Sequence, residues 1–409
     1  MGSNRNQPYV LALNAGSSSV RFALYEVGSP LQRRQRGMVE RIGLPGTILT
    51  VDDAANSGVQ RDAIDIRDHI GAANTLIDWL DKRNLLSAVK AIGHRVVHGG
   101  SRYSAPARID DGLVQTLRGI SAYSPEHLPR ELDLIERFRQ RLPNVQQVGC
   151  FDTAFHLEMP RVAQLLPIPR RFDRKGIRRF GFHGLSYAFL MEELERVAGT
   201  ETSHGRVILA HLGNGSSLAA VRQGKSLDTT MAFTPAAGVP MSTRSGDLDP
   251  GLVWYLAQNE NMSVEQFHRM VNHEAGLLGV SETSSDMRDL LAREAVDVPA
   301  AEAVALYCYQ LKKAIGAFAA VLGGLDTLVF SGGIGENSSV IRWRICEGLD
   351  YLGVVLDHGS NAANEAVISN RTDAVVVRMM RTDEEAMIAR ATERFLHGSP
   401  NPSPKRSSP

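Results

Sequence analysis

The sequence predicts an α/β protein made of two similar halves, and three observations carry that prediction. Short apolar runs of strand length alternate with segments of helical spacing. A unit of strand, Gly/Ser/Asn turn and strand occurs twice, at 9–25 and at 207–230, about 200 residues apart. The chain has 409 residues, too many for one core at roughly 150 residues per domain. Its 43% apolar and 22% charged residues are those of a globular protein.

Taken in order, residues 9–13 form a first strand, broken by Asn14-Ala15-Gly16-Ser17-Ser18-Ser19, and 20–25 form a second. Two strands closing on a Gly/Ser turn read as a hairpin. Leu76, Ile77 and Leu80 give 72–86 helical spacing, and 91–97 and 145–151 are again strand-like. The pattern then restarts. Residues 207–212 are a strand ending in Gly213-Asn214-Gly215-Ser216-Ser217, with 218–222 as its partner and a turn through Gln223-Gly224 into 225–230. A long helix follows at 300–322, then a strand at 325–330 ending in Ser331-Gly332-Gly333-Ile334-Gly335-Glu336-Asn337. A late strand at 374–379 and a helix at 384–395 close the chain. The expected domains are 9–151, completed by a returning helix at 386–397, and 152–385. The polar N-terminal stretch 1–8 and the Pro/Ser-rich 398–409 are expected to be disordered tails, because neither can bury enough surface to offset its ordering entropy.

Several function classes are disfavoured at once. Lys+Arg and Asp+Glu both number 45, so no global positive field exists to hold a nucleic acid. Cys150, Cys308 and Cys346 are too few and too scattered for a disulfide framework or a zinc knuckle, and Cys150 and Cys308 read as small core residues. No uninterrupted apolar run of about 18 residues appears and the N-terminus carries no apolar leader segment, so a cytoplasmic protein without a membrane span is expected. Gly224-Lys225-Ser226 is not a Walker A end, since Ala219 stands where its first Gly belongs. Gly213-x-Gly215 lacks the third Gly of a dinucleotide fingerprint, with Leu218 in its place. His94-Arg95-Val96-Val97-His98 has zinc-helix spacing but Arg replaces the required Glu, and its valines favour a strand.

Four Gly/Ser/Asn turns, at 14–19, 213–217, 332–337 and, less clearly, 181–186, stand out. A Gly-rich turn at a strand end lets backbone N–H groups approach an anion with no Cβ in the way. One such turn is ordinary in a hairpin; four together favour a phosphate cradle. Beside such turns stand Arg95, Asp152, His183, His211, Arg244 and Asp247, at the strand ends where open α/β sheets present ligand groups. His127, between Pro125 and Pro129, is a weaker member of the set.

These motifs together resemble the acetate kinase family. Asn14-Ala15-Gly16-Ser17-Ser18-Ser19-Val20-Arg21, Gly93-His94-Arg95-Val96-Val97-His98-Gly99-Gly100, Phe151-Asp152-Thr153-Ala154-Phe155-His156 and Arg179-Phe180-Gly181-Phe182-His183-Gly184 carry the resemblance in the first part of the chain. His211-Leu212-Gly213-Asn214-Gly215, Thr243-Arg244-Ser245-Gly246-Asp247, Ser285-Asp286-Met287-Arg288, Gly333-Ile334-Gly335-Glu336-Asn337 and Thr382-Asp383-Glu384-Glu385 carry it in the second. The resemblance implies the fold of the actin, Hsp70 and sugar kinase superfamily, two ribonuclease-H-like domains around a nucleotide cleft.

By the same resemblance, Asn14 and Glu384 would hold Mg2+ (or Mn2+), directly or through water. Arg21, His211, Leu212, Gly213, Asn214, Gly215, Asp286, Met287, Arg288, Gly333, Ile334, Gly335, Glu336 and Asn337 would contact ATP or ADP. Arg95 would bind the substrate carboxylate, Asp152 is the family's catalytic acidic residue, His183 and Arg244 are its transition-state stabilisers, and His127 matches a further active-site histidine. Val97, Phe182 and Pro235 are candidate walls of a small apolar acyl pocket. Three departures mark this chain: Arg21 for the usual Lys, Glu126 for a common Leu within a stretch, 124–132, that matches poorly, and Leu185 with Tyr187 for small and polar residues after His183. The implied reaction is reversible, Mg-dependent in-line transfer of the ATP γ-phosphoryl group to acetate by a homodimer. Propionate or butyrate kinase, or a non-metabolic actin-like ATPase, are the alternatives.

Overall fold

In the computed structural model, which describes residues 7–16, 18–53, 58–370 and 374–398, the first hairpin forms where apolar runs flank the Gly/Ser turn. Strands β1 (Tyr9–Ala15) and β2 (Ser19–Glu26) pair antiparallel, with Asn14 opposite Arg21. Leu11, Leu13 and Ala15 of β1 face one layer of helices, α1 (His69–Lys82) and α3 (Leu128–Arg141). The C-terminal helix Glu384–Leu396 packs on β1 and on the Val89–Val96 strand. Covering both faces explains why β1 is a continuous apolar run with no alternation. Strands β3 (Gln32–Glu40), β4 (Ile48–Asp53) and β5 (Val59–Ala63) extend one edge, β6 (Val89–Val96), β7 (Ala107–Arg108) and β8 (Gln146–Phe151) the other. The order of this eight-stranded sheet is β5-β4-β3-β2-β1-β6-β8-β7. Sequence reasoning did not place β3 to β5. The composition of β3 (QRRQRGMVE) is that of a largely solvated strand, which periodicity alone does not separate from loop.

This first unit spans Met1–Ala154 and Asp383–Pro409; Phe155–Thr382 form the second. The second unit holds a sheet of β9 (Arg206–Leu212), β10 (Ser216–Arg222), β11 (Lys225–Thr229), β12 (Thr327–Ser331) and β13 (Val376–Met379), in the order β11-β10-β9-β12-β13. In each sheet the first strand pairs antiparallel with the second and parallel with the next crossover strand: β1 with β2 and β6, β9 with β10 and β12. The five-strand arrangement is therefore the same in both units. The repeated strand-turn-strand unit seen in the sequence is the opening of each copy. Ile208, Ala210 and Leu212 point to a core that includes the Val298–Leu322 helix, while Val207 and Leu209 point to one that includes Tyr187, Leu190 and Leu194 of the Gly184–His204 helix.

The β10–β11 turn runs through Gln223 and Gly224, both with positive φ (53° and 72°), so Gly224-Lys225-Ser226 is a hairpin as expected. Two of the four turns differ from the expectation. Gly332–Asn337 is a short helix, because Ser331 leaves the strand extended and Gly332 turns at φ 78° beneath the Leu212 backbone. Residues 181–186 lead into the Gly184–His204 helix and do not form a strand-end turn. All three cysteines are buried and free. Apart from Gln7, Pro8 and Gly398, the expected tails 1–8 and 398–409 lie outside the described residues, as does Ser17 of the first turn. Among the described residues no helix is long and apolar enough to cross a membrane.

Candidate active site

In the first unit the chemistry collects at the ends of β1, β6 and β8. Arg95 lies on β6, and Asp152 follows β8, with its own N–H donating to the Val96 carbonyl. The Arg95 guanidinium donates Nε and Nη2 to Asp152 Oδ2 at 3.1 and 2.6 Å, and Nη1 to the Ala15 carbonyl at 3.0 Å. Asp152 is fully buried. Burial alone would discharge Arg95, but Asp152, Glu131 and Glu384 pull the other way and hold it firmly cationic. A charge-assisted pair of this kind fixes both direction and protonation of the arginine.

Glu131, in the first turn of α3, was missed by the sequence reading. It is buried, its Oε2 accepts from Val97 N at 2.9 Å, and its Oε1 stands 3.6 Å from Arg95 Nη1. Burial pushes its carboxyl up to about 8, against the pull of Arg95 and the Val97 amide. The available signal was an acidic residue among the apolar positions Leu128, Leu132 and Ile135 of an amphipathic helix. His127 caps that helix, with Nδ1 3.4 Å from Ser124 Oγ.

Asn14 reaches across to the C-terminal helix. Its Nδ2 donates to Glu384 Oε2 at 2.7 Å and to Glu385 Oε1 at 3.0 Å. Burial first, then the neighbouring Glu384 charge, raises the Glu385 carboxyl, with Arg21 opposing. Two crowded carboxylates and an amide oxygen are the hard-oxygen set that suits Mg2+, which commonly takes one or two carboxylates and keeps water and phosphate for the rest. Among the described residues no group of three His, Cys, Asp or Glu side chains could hold a metal alone. Asn14 and Glu384 are the candidate holders of such an ion. Arg21, exposed on β2 opposite Asn14, adds a cation to that edge.

In the second unit His183, His211, Gly215 and Arg244 come together. His183 sits in the left-handed region (φ 58°) at the start of its helix, and its Nδ1 is 2.8 Å from Ser217 Oγ. The buried hydroxyl of Tyr187, one turn on, is 2.5 Å from the same oxygen, so Tyr187 now has a neighbour that explains its buried polar tip. The His183 and His211 rings lie 4.5 Å apart. A Cβ on Gly215 would fall 3.2 Å from His183 Nε2 and 3.3 Å from Arg244 Nη1, so both side chains line a bare stretch of backbone. Arg244 Nη1 also donates to the Pro235 carbonyl at 3.3 Å. Phe182 is buried and its carbonyl meets His156 Nε2 at 2.9 Å. Asp247 accepts from Gly238 N at 2.8 Å and so clasps the loop that carries Arg244.

The nucleotide turns are also neighbours. A Cβ on Gly213 would lie 3.9 Å from Gly333 N, bringing His211–Gly215 beside Gly333–Asn337. Glu336 Oε1 accepts from Gly332 N at 3.0 Å, so one of the expected cradle amides is already spent on the chain's own carboxylate. Asp286 caps the Met287–Arg293 helix and pairs with Arg288 at 2.5 Å. His94 and His98, set aside as a zinc pair on sequence grounds, each have a hydrogen-bond partner. His94 bonds Gln147 at 2.8 Å and burial lowers it to about 4, while His98 Nδ1 accepts from Gly100 N.

A model of the acetokinase family matches residues 9–390. The chain belongs to the acetokinase family. Among its family relatives, the acetate kinase of Methylocella silvestris is 41% identical over 398 residues, covering 95% of this chain and 98% of that protein. The acetate kinase of Bacillus cytotoxicus is 41% identical over 393 residues, with 94% and 98% covered. Two solved acetokinase-family structures agree in fold. A Porphyromonas gingivalis acetate kinase is 35% identical with TM-score 0.85, covering 95% of this chain and 100% of that one. A Francisella tularensis propionate kinase is 34% identical with TM-score 0.88, with 95% and 99% covered.

Proposed function

We propose that this protein transfers the γ-phosphoryl group of ATP, reversibly and in line, to acetate, giving acetyl phosphate and ADP. The observation that carries the reading is Arg95, held cationic at a strand end by Asp152 with the Ala15 carbonyl fixing its other edge. A carboxylic acid with a pKa near 4–5 is already ionised at neutral pH and needs no general base. The barrier is instead charge: an anion must approach a triphosphate, at about 4 kcal/mol for each like-charge contact at 4 Å and an effective dielectric of 20. An arginine preset for a carboxylate answers that need. Asp152 serves by orienting Arg95, since its Oδ2 already accepts two of that residue's N–H groups.

In this reading Arg95 receives the acid, and Arg244 and His183 stabilise charge on the transferred group. His211–Gly215, Asp286–Arg288 and Gly333–Asn337, with Arg21, bind the nucleotide. Asn14 and Glu384 would hold Mg2+, which when bound neutralises charge on the phosphate oxygens. Val97, Phe182 and Pro235 are the apolar residues assigned to the acyl group, and His127 is assigned to the acid. A cytoplasmic location agrees with ATP as co-substrate. The exposed apolar side chains Leu252, Val253, Trp254 and Tyr255 on one short helix support a homodimer.

A second acceptor, propionate, is favoured by the likeness to the Francisella propionate kinase. An apolar pocket separates the two acids by only about 1–3 kcal/mol per methylene. The test is a hydroxylamine trap with Mg-ATP and acetate, propionate or butyrate in turn. Acyl hydroxamate with acetate at the highest kcat/KM is expected. Hydrolysis of ATP with no hydroxamate from any acid would leave an actin-like ATPase in its place.

A further inference from the structure

Glu131 touches two expected parts of the acceptor site at once, the Val97 amide and Arg95. A guanidinium offers five N–H donors. Three of those on Arg95 are spent, two on Asp152 and one on the Ala15 carbonyl. One carboxylate already neutralises Arg95, and Glu131 is a second within 3.6 Å. With Glu131 ionised, Arg95, Asp152 and Glu131 together carry one net negative charge and oppose an incoming acid anion. With a proton on Glu131 the three are neutral, and the remaining N–H groups of Arg95 can serve the acid.

We propose that Glu131 is a positioning residue for the acid acceptor, one that holds the Val97 backbone and takes up a proton from solvent when a carboxylate binds at Arg95. The inference rests on the reading of Arg95 given under Proposed function. In the protonated state the carbonyl oxygen of Glu131 still accepts from Val97 N, so only the charge changes and the backbone contact stays. The raised proton affinity of this buried carboxyl agrees with such a role. The groups that bear on it are Arg95 from β6 and Asp152 beyond β8. Several other charged groups on packed elements are occupied elsewhere. On α1, His69 faces Arg130 and Asp133, and Asp78 pairs with Arg141. On α2 (Asp111–Gly119), Asp111 pairs with Arg139 and Arg118 with Glu136, while β1 carries no ionisable side chain after Tyr9. His94 of β6 lies against Phe138 and is bonded to Gln147.

An anion about 6 Å from a charged Glu131 loses roughly tenfold to a hundredfold in affinity at an effective dielectric near 20. The test measures KM for acetate and kcat from pH 6.5 to 9.5 at constant ionic strength, for the full chain and for Glu131→Gln. The expected result is a KM that rises at least tenfold above pH 8 in the unchanged protein, while kcat does not follow, and a flat KM in Glu131→Gln. A pH-indicator dye should also report proton uptake when acetate is mixed with the unchanged protein at pH 8.5, a readout that needs no variant to fold. A flat KM in the unchanged protein, an unchanged slope in Glu131→Gln, or absence of proton uptake overturns the proposal alone. Failure to turn over any acid overturns the reading of Arg95 and this proposal with it.

Discussion

Replacing Gly93 with alanine should unseat the C-terminal helix from the sheet that holds Arg95. Gly93 lies on β6, two residues before Arg95, where the helix crosses. An added Cβ would fall 2.2 Å from Thr392 Oγ1, 2.5 Å from Ile388 Cγ2 and 3.2 Å from the Ile388 carbonyl oxygen. Ordinary contact begins near 3.4 Å, so the helix must retreat by about 1 Å. Thr392 cannot simply turn aside, because its hydroxyl donates to the Ile388 carbonyl at 2.7 Å. Overpacking of this kind costs about 1–3 kcal/mol, less the roughly 0.5–1 kcal/mol that alanine gains over glycine in a strand. The net loss is at most about 2.5 kcal/mol, and at about 2–4 °C per kcal/mol for a unit of this size the melting temperature should fall by up to roughly 10 °C. The assay is thermal unfolding of Gly93→Ala, Thr392→Ala and the double variant. The double variant should recover part of the loss, with a coupling of about 1 kcal/mol or more. Additive effects, or a Gly93→Ala protein that melts with the unchanged one, would refute the argument that this glycine exists for close helix approach.

Replacing Arg244 with alanine should lower kcat on the order of 10² or more with a smaller change in nucleotide KM, read by steady-state kinetics; an unchanged kcat removes Arg244 from the transition state. Glu131 gives a pH signature in stability. Its folded-state value of about 8 lies above the ordinary 4.5, so its contribution to stability is full below pH 4.5 and is lost as pH rises to about 8. At 1.36 kcal/mol per pH unit the loss approaches about 5 kcal/mol, and Glu131→Gln should abolish it; parallel denaturation profiles of the two proteins between pH 5 and 8.5 would contradict this. Arg342 is fully buried and donates to the Asn361 side chain at 2.8 Å and to the Gly335 carbonyl at 2.8 Å, bracing the Gly332–Asn337 helix. Arg342→Ala leaves those acceptors orphaned and should cost about 3–5 kcal/mol in urea unfolding, with a raised KM for ATP.

Much of the site could be read from the chain because its parts are local. Asn14, His211–Gly215 and Gly333–Asn337 each sit where an apolar run breaks into glycine and polar residues, a signal that needs no partner. The hairpins at 14–19 and 223–224 were legible for the same reason, since turn chemistry resides in a few adjacent residues. Strands β3 to β5 were not legible, because only successive pairing, β3 on β2, β4 on β3 and β5 on β4, makes them strands. The Gly332–Asn337 segment was misassigned as a turn, because glycine content lowers helix propensity and the Leu212 backbone and the buried Arg342 decide its shape.

The order of residues along the chain by itself determined the α/β class, the duplication, the strand ends and the identity of the charged residues placed there. Tertiary structure alone decided which of them meet. Glu131 comes to Arg95 from a helix 36 residues further on at 3.6 Å, and Glu384 comes to Asn14 across 370 residues. The physical reason is that proton affinity and ion pairing depend on burial and on distances of a few ångströms. Those are properties of the packed sheet and its helices, while periodicity and turn chemistry are properties of neighbours in sequence.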